Sequence, residues 1–246
     1  MKEFFTNQNN GMMIEIFSMW HIVLIIITLL LVDLIINNKE KISIISNKNK
    51  KIIRITFGIF LLFNMIIRRG SFIFYDVYNI QNNLDINFCN FTSIIFMIYA
   101  FTGNKKIYQL CYYMAFIGPL TAIIFPSVSI SPLNYSFYSF IIIHHVVFIF
   151  NFIFMYFENE ELKIKNIIFY ILLYFIIIYV IDYIFNFNYN KPLFFINDDI
   201  KNNKLIIYLL EKKLLSYVTL IFIIFFQIIN GKIISKIFAL KKDKNL

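Results

Sequence analysis

Apolar residues in this chain come in long unbroken runs between short polar stretches, not in the one-face repeat of a soluble amphipathic helix. A helix needs roughly 17–25 residues to cross a hydrocarbon core. Seven runs predict crossings, at about 17–37, 52–67, 88–101, 107–126, 136–157, 167–187 and 214–240. The third is short and follows a polar stretch, so a tilted or re-entrant helix fits the same residues. The pattern predicts an all-α protein, a polytopic membrane helix bundle of about seven transmembrane helices forming a single domain over residues 1–246. The first run is long enough to read as a retained helix rather than a cleaved signal. Between the runs, Gly70–Asn87 is polar and aromatic, Pro126–Asn134 is rich in turn residues, and Glu158–Lys165 reads as a solvated loop. No repeat of 20–50 residues and no inverted repeat is visible, which argues against a transporter built by internal duplication.

Composition strengthens this picture. Only 15% of residues are charged and 60% are hydrophobic, where a soluble domain carries about a quarter charged. The formal charge of +9 would suggest nucleic acid in a soluble protein. Here the lysines cluster in alternate loops, so topology and anionic lipid explain them and nucleic acid is not expected as a partner. Lys39, Lys41, Lys48, Lys50, Lys51, Arg54, Lys105, Lys106, Lys163, Lys165 and the five lysines from Lys232 onward put fifteen of the 23 basic residues on one side. The other eight, Arg68 and Arg69 among them, fall on the opposite side. The positive-inside rule then sets the N-terminus outside and the C-terminus inside, in a multi-pass protein of the cell membrane.

Polar residues inside membrane helices mark function or helix–helix hydrogen bonds. The three histidines, His21, His144 and His145, all fall in predicted helices, and the two cysteines are Cys89 and Cys111. Depth sorts them at 1.5 Å per residue. Cys89 opens the third helix at its outer end, His21 lies about one turn into the first, and His144 about eight residues into the fifth. Cys111 lies near the opposite surface, too far from Cys89 for a disulfide. Arg68 and Arg69 are read as ending the second helix on the outer side. A thiol becomes a nucleophile when a neighbouring base takes its proton, and histidine is the usual base. An arginine at the rim can hold a lipid phosphate. Each has a plainer reading: Cys89 as a small buried apolar residue, His144 as a helix–helix hydrogen bonder, the arginines as snorkelling anchors. Asp182 falls in the same half and could orient a histidine. Asp33, Asn64, Asn151 and Gln227 are assigned to interhelical hydrogen bonds. No metal site is expected, since His144 and His145 point about 100° apart on an α-helix.

Four segments resemble the YwaF-type conserved bacterial integral membrane proteins. Leu84–Ile95, LDINFCNFTSII, is similar to a pattern like LPLxxC that opens a membrane helix, with Asp85 where the proline stands. Phe137–His144, FYSFIIIH, is similar to an aromatic stretch ending in histidine. Ile107–Pro126 resembles a helix anchored by Gly118 and Pro126, and FSMWHIV, from Phe17, resembles an early histidine segment containing His21. The likeness covers about 17–156, and beyond Asp182 the chain departs from it. Eukaryotic relatives of that family include a membrane acyltransferase that moves fatty acyl chains between phospholipids through one cysteine and one histidine. The resemblance thus implies Cys89 as the acyl-accepting nucleophile and His144 as its base. The register is ambiguous by one, so His145 stands beside it. With His21, Arg68 and Arg69, it is expected to bind the substrate. The reading is outer-leaflet lipid acyl transfer with membrane lipids as partners and no cofactor. A non-enzymatic lipid or small-molecule carrier, or a structural membrane subunit, is the alternative.

Overall fold

The computed structural model describes residues 1–6, 17–77, 88–124, 126 and 131–158, together with isolated helical positions at Phe169, Leu172, Leu173, Ile176, Ile177, Val180, Ile184 and Ile229. Every regular element among the described residues is helical. These are α1 (Lys2–Thr6), α2 (Met19–Asn37), α3 (Lys39–Ser43), α4 (Asn47–Phe74), α5 (Phe88–Thr102), α6 (Lys105–Ile124) and α7 (Tyr135–Ile141). A π turn (Ile142–Val146) then leads without a break into α8 (Val147–Glu158). Among the described residues, two helices are long and apolar enough to cross a membrane, Met19–Asn37 and the continuous Tyr135–Glu158.

Helix α2 shows an inside-out pattern. Ser18 caps it, its hydroxyl accepting the His21 N–H at 3.4 Å. Its buried residues are His21, Thr28 and Val32, spaced seven and four apart and so stacked on one face. The polar side chains point into the bundle, while Leu30 on the rim is 63% exposed. Such an arrangement suits lipid rather than water.

Helix α4 runs further than the hydrophobic pattern predicts, from Asn47 to Phe74 rather than over 52–67. Lysine is a good helix former, and Ser46 caps the new start by accepting the Asn49 N–H at 3.3 Å. Most of the expected loop before it is helical too. At the far end, Arg68 and Arg69 therefore lie within the helix and do not end it. Phe57, Leu61, Asn64 and Phe72 are buried, at spacings that put Arg68 on the same face. Gly58 lets α4 approach α5 closely, since a Cβ there would lie 2.8 Å from Ala100 Cβ.

The core is a lattice of rings. Phe57 packs edge-on against Phe96 at 5.8 Å and Phe154 at 5.5 Å, and Tyr99 contacts Tyr108 at 4.9 Å. Phe116 meets Phe148 and Phe152 edge-on at 5.8 and 5.0 Å. Asn151 crosses between helices as expected, its Nδ2 donating to the Tyr112 carbonyl at 3.0 Å. Asp33 does not cross; it accepts from Asn37 within its own helix.

One end of the bundle is closed by Glu158. The sequence pattern places this residue in a solvated loop, but its side chain is only 9% exposed. It accepts a hydrogen bond from the Tyr99 hydroxyl and pairs with Lys105 at 3.6 Å and Arg54 at 4.0 Å. Arg54 also donates to the Ala100 carbonyl at 3.1 Å and lies over the Tyr99 ring. Four helices, α4, α5, α6 and α8, meet on one carboxylate. The sixth and seventh predicted crossings, with Asp182 and Gln227, lie outside the described residues apart from the isolated helical positions.

Gly103 makes this end testable. It turns α5 into α6 with φ +66°, and a Cβ would sit 2.4 Å from Arg54 Nη2. Gly103→Ala is expected to cost about 1–2 kcal/mol in left-handed backbone alone and to push Arg54 aside. Thermal unfolding in detergent should drop by about 3–8 °C. Gly70→Ala, with nothing within 4 Å of its Cβ, should leave the transition unchanged or slightly raised.

Candidate functional site

The opposite end of the bundle holds the histidines, and hydrogen bonds fix the state of each. In His21, Nδ1 accepts the Phe17 N–H at 2.9 Å and Nε2 lies 2.8 Å from the Ile123 carbonyl. A backbone N–H only donates and a carbonyl only accepts, so the ring carries its proton on Nε2. Ile123 lies in the last turn of α6, where carbonyls lack intrahelical partners. His21 thus ties the start of α2 to the end of α6 and is only 3% exposed. Both of its nitrogens are committed to backbone.

His144 and His145 share the π turn. His144 Nδ1 lies 2.9 Å from the Phe140 carbonyl, so Nδ1 donates and Nε2 keeps a lone pair. The ring is half-buried. His145 Nδ1 lies 2.6 Å from Thr28 Oγ1. The Thr28 hydroxyl gives its own hydrogen to the Leu24 carbonyl at 2.8 Å, so His145 donates through Nδ1. Its Nε2 is again the lone-pair nitrogen, and this atom is buried without a hydrogen-bond partner among the described residues.

A π turn closes five residues apart rather than four. Here that widening brings both histidines to the side of Phe140, whose ring centroid lies 4.3 Å from His144 and 6.0 Å from His145. No group of three or more His, Cys, Asp or Glu suited to a metal forms among the described residues.

Arg68 joins the histidines electrostatically. Its charge acts on His144 and on Tyr135, and His145 senses both His144 and His21. The Tyr135 hydroxyl donates to Asn64 Oδ1 at 3.0 Å, one helical turn from Arg68. A polar thread thus runs from Asn64, Tyr135 and Arg68 through His144 and His145 to Thr28 and His21. Arg69, one position further on, is half-buried and turned about 100° from the Arg68 face.

Cys89 sits half-buried in the first turn of α5, its carbonyl accepting the Ser93 hydroxyl at 3.0 Å. Helix α5 packs against the π turn and runs parallel to α8, for Phe96 meets Phe154 while Tyr99, further on, meets Glu158. Seven residues back from Phe96 is Cys89, and seven back from Phe154 is Val147. At equal rise per residue, Cys89 is level with Val147, about one turn from His144. The side chain of Cys111 lies outside the described residues.

The expected residues therefore gather unequally. Cys89, His144, His145, Arg68 and His21 share one end, and Arg69 faces away from the thread. Sequence reasoning overlooked Thr28 and Tyr135. Thr28 carried a usable signal, being the single hydroxyl inside an apolar helix, seven residues from His21.

The family model of the TMEM164 family matches residues 15–230. No curated protein and no solved structure matches the chain.

If His21 holds α2 to α6, His21→Leu should cost about 1–3 kcal/mol by leaving the Ile123 carbonyl and the Phe17 N–H unpaired. His21→Gln should recover part of that loss. Thermal unfolding of the two variants against the parent chain measures this. A His21→Leu chain as stable as the parent would return His21 to substrate binding.

Proposed function

The chain belongs to the TMEM164 family, a family of transmembrane proteins, and from that premise we propose that it is a multi-pass lipid acyl-transfer enzyme using Cys89 and His144. The topology proposed is seven crossings with the N-terminus outside. It is supported by the gathering of Lys39, Lys41, Lys48, Lys50, Lys51, Lys105 and Lys106 toward the Glu158 end of the bundle. The histidine end then lies in the outer half of the cell membrane, within reach of outer-leaflet phospholipids.

One observation carries the reading. The Phe140 carbonyl holds His144 by Nδ1–H, which leaves Nε2 as a base, on a turn packed against the helix whose first turn holds Cys89. In the first half-reaction the Cys89 thiol attacks a phospholipid ester carbonyl. The S–H proton passes to His144 Nε2, the S–C(acyl) bond forms, and the ester C–O bond breaks. His144 returns the proton to the departing lysolipid oxygen. In the second, an acceptor hydroxyl attacks the thioester and sulfur leaves. Arg68, on the bundle face of α4, is suited to a lipid phosphate. Arg69 offers a second cation at the rim.

Native membranes supplied with a phospholipid bearing an alkyne-tagged acyl chain provide the test. The expected result is a hydroxylamine-sensitive label on the parent chain and on Cys111→Ala, lost in Cys89→Ala. In His144→Ala it should form about 10²–10⁴-fold more slowly. A parent chain without label, or label that survives Cys89→Ala, overturns the proposal. Phospholipid retained through purification with no label would favour a carrier instead.

A further inference from the structure

The loading half-reaction uses one histidine, and the structure has prepared a second. His145 is 4% exposed, its Nδ1–H is engaged by Thr28, and its Nε2 lone pair meets no donor among the described residues. Leaving such an acceptor unpaired costs about 1–3 kcal/mol, and a buried group of this kind calls for an explanation. The ordinary way to avoid the cost is the other tautomer or another rotamer. Thr28 blocks both, because its hydroxyl hydrogen is already spent on Leu24 and only its lone pairs face the ring. The His145 ring, like that of His144, lies against Phe140, and the nitrogen that remains can only accept.

Taking the thioester reading as its basis, we infer that His145 Nε2 receives the hydroxyl of the acyl acceptor, a lysophospholipid, and draws off its proton as the thioester is attacked. The two neighbouring histidines then divide the cycle. His144 serves the thiol during loading, and His145 serves the alcohol during discharge. In discharge the acceptor oxygen forms the new O–C(acyl) bond, the C–S bond breaks, the hydroxyl proton moves to His145 Nε2, and it returns to the Cys89 sulfur to restore the thiol. A hydroxyl donor suits a bare, buried Nε2. Thr28 is a positioning residue, holding the tautomer that makes this nitrogen an acceptor.

The experiment separates the two halves. Full-length chain in phosphatidylcholine vesicles is loaded with the tagged acyl group and then chased with lysophosphatidylcholine. His145→Asn keeps a donor toward Thr28 but removes the Nε2 position. Its discharge should fall about 10²-fold relative to its own loading. Thr28→Val should raise the KM for lysophosphatidylcholine and slow discharge about 10-fold, and Thr28→Ser should restore both. Discharge by His145→Asn at the parent rate overturns the inference, as does Thr28→Val behaving like the parent chain. A His145→Asn chain that folds but loads no better than it discharges overturns the division of labour. A parent chain that never loads removes the thioester reading itself, and with it this one.

Discussion

A carboxylate buried among helices sets the depth of everything else. Burying the Glu158 charge is costly unless cations and donors surround it, and Arg54, Lys105 and the Tyr99 hydroxyl do so from three other helices. An apolar helix in lipid can slide along its neighbour at little cost, because one leucine resembles the next. A point at which four helices must bring particular polar groups together removes that freedom. With that end fixed, the parallel run of α5 and α8 carries its register upward, from Phe96 against Phe154 to Cys89 level with Val147.

The histidine end depends on the same economy of polar groups. Each ring nitrogen that meets backbone or Thr28 does so with one possible direction of donation. Together these bonds dictate where the unused lone pairs lie. The π turn adds the needed geometry. On an unbroken α-helix His145, five positions after Phe140, would fall about 140° round from it. The additional residue in the turn brings both histidines to one ring, and such single π turns recur at functional sites.

Much of this was legible in the sequence, and the part that was not has physical reasons. Runs of isoleucine and phenylalanine marked α2, α5, α6 and the long helix through α8 nearly to the residue. Hydropathy counts transfer energy, so it could not see that the lysines before Arg54 continue α4, nor that Arg68 lies inside a helix of 28 residues. Glu158 misled for the same reason, since a charge next to an acidic and basic run looks solvated until its partners are known. Co-location of Cys89, His21 and the His144–His145 pair was readable because depth follows from counting. The commitment of His21 to Phe17 and Ile123 was not, because the partners are backbone atoms and leave no mark on side-chain chemistry.

The distinction between His21 and His145 follows from this last point. Both are buried histidines at one end of the bundle, both touch α2, and composition treats them alike. They differ in whether the surrounding backbone uses up the ring. His21 gives and accepts one bond each to the main chain, which leaves no capacity for a ligand and stabilises the contact between two helices. His145 is held at Nδ1 by a threonine that can no longer donate, so the fold spends effort on its orientation and leaves Nε2 unserved. A histidine kept only for packing would gain from a donor at that nitrogen, and a single Ser or Thr on a facing helix would supply one. The absence of such a donor among the described residues, on the histidine that follows His144, is what favours the proposed role in acyl discharge over packing alone.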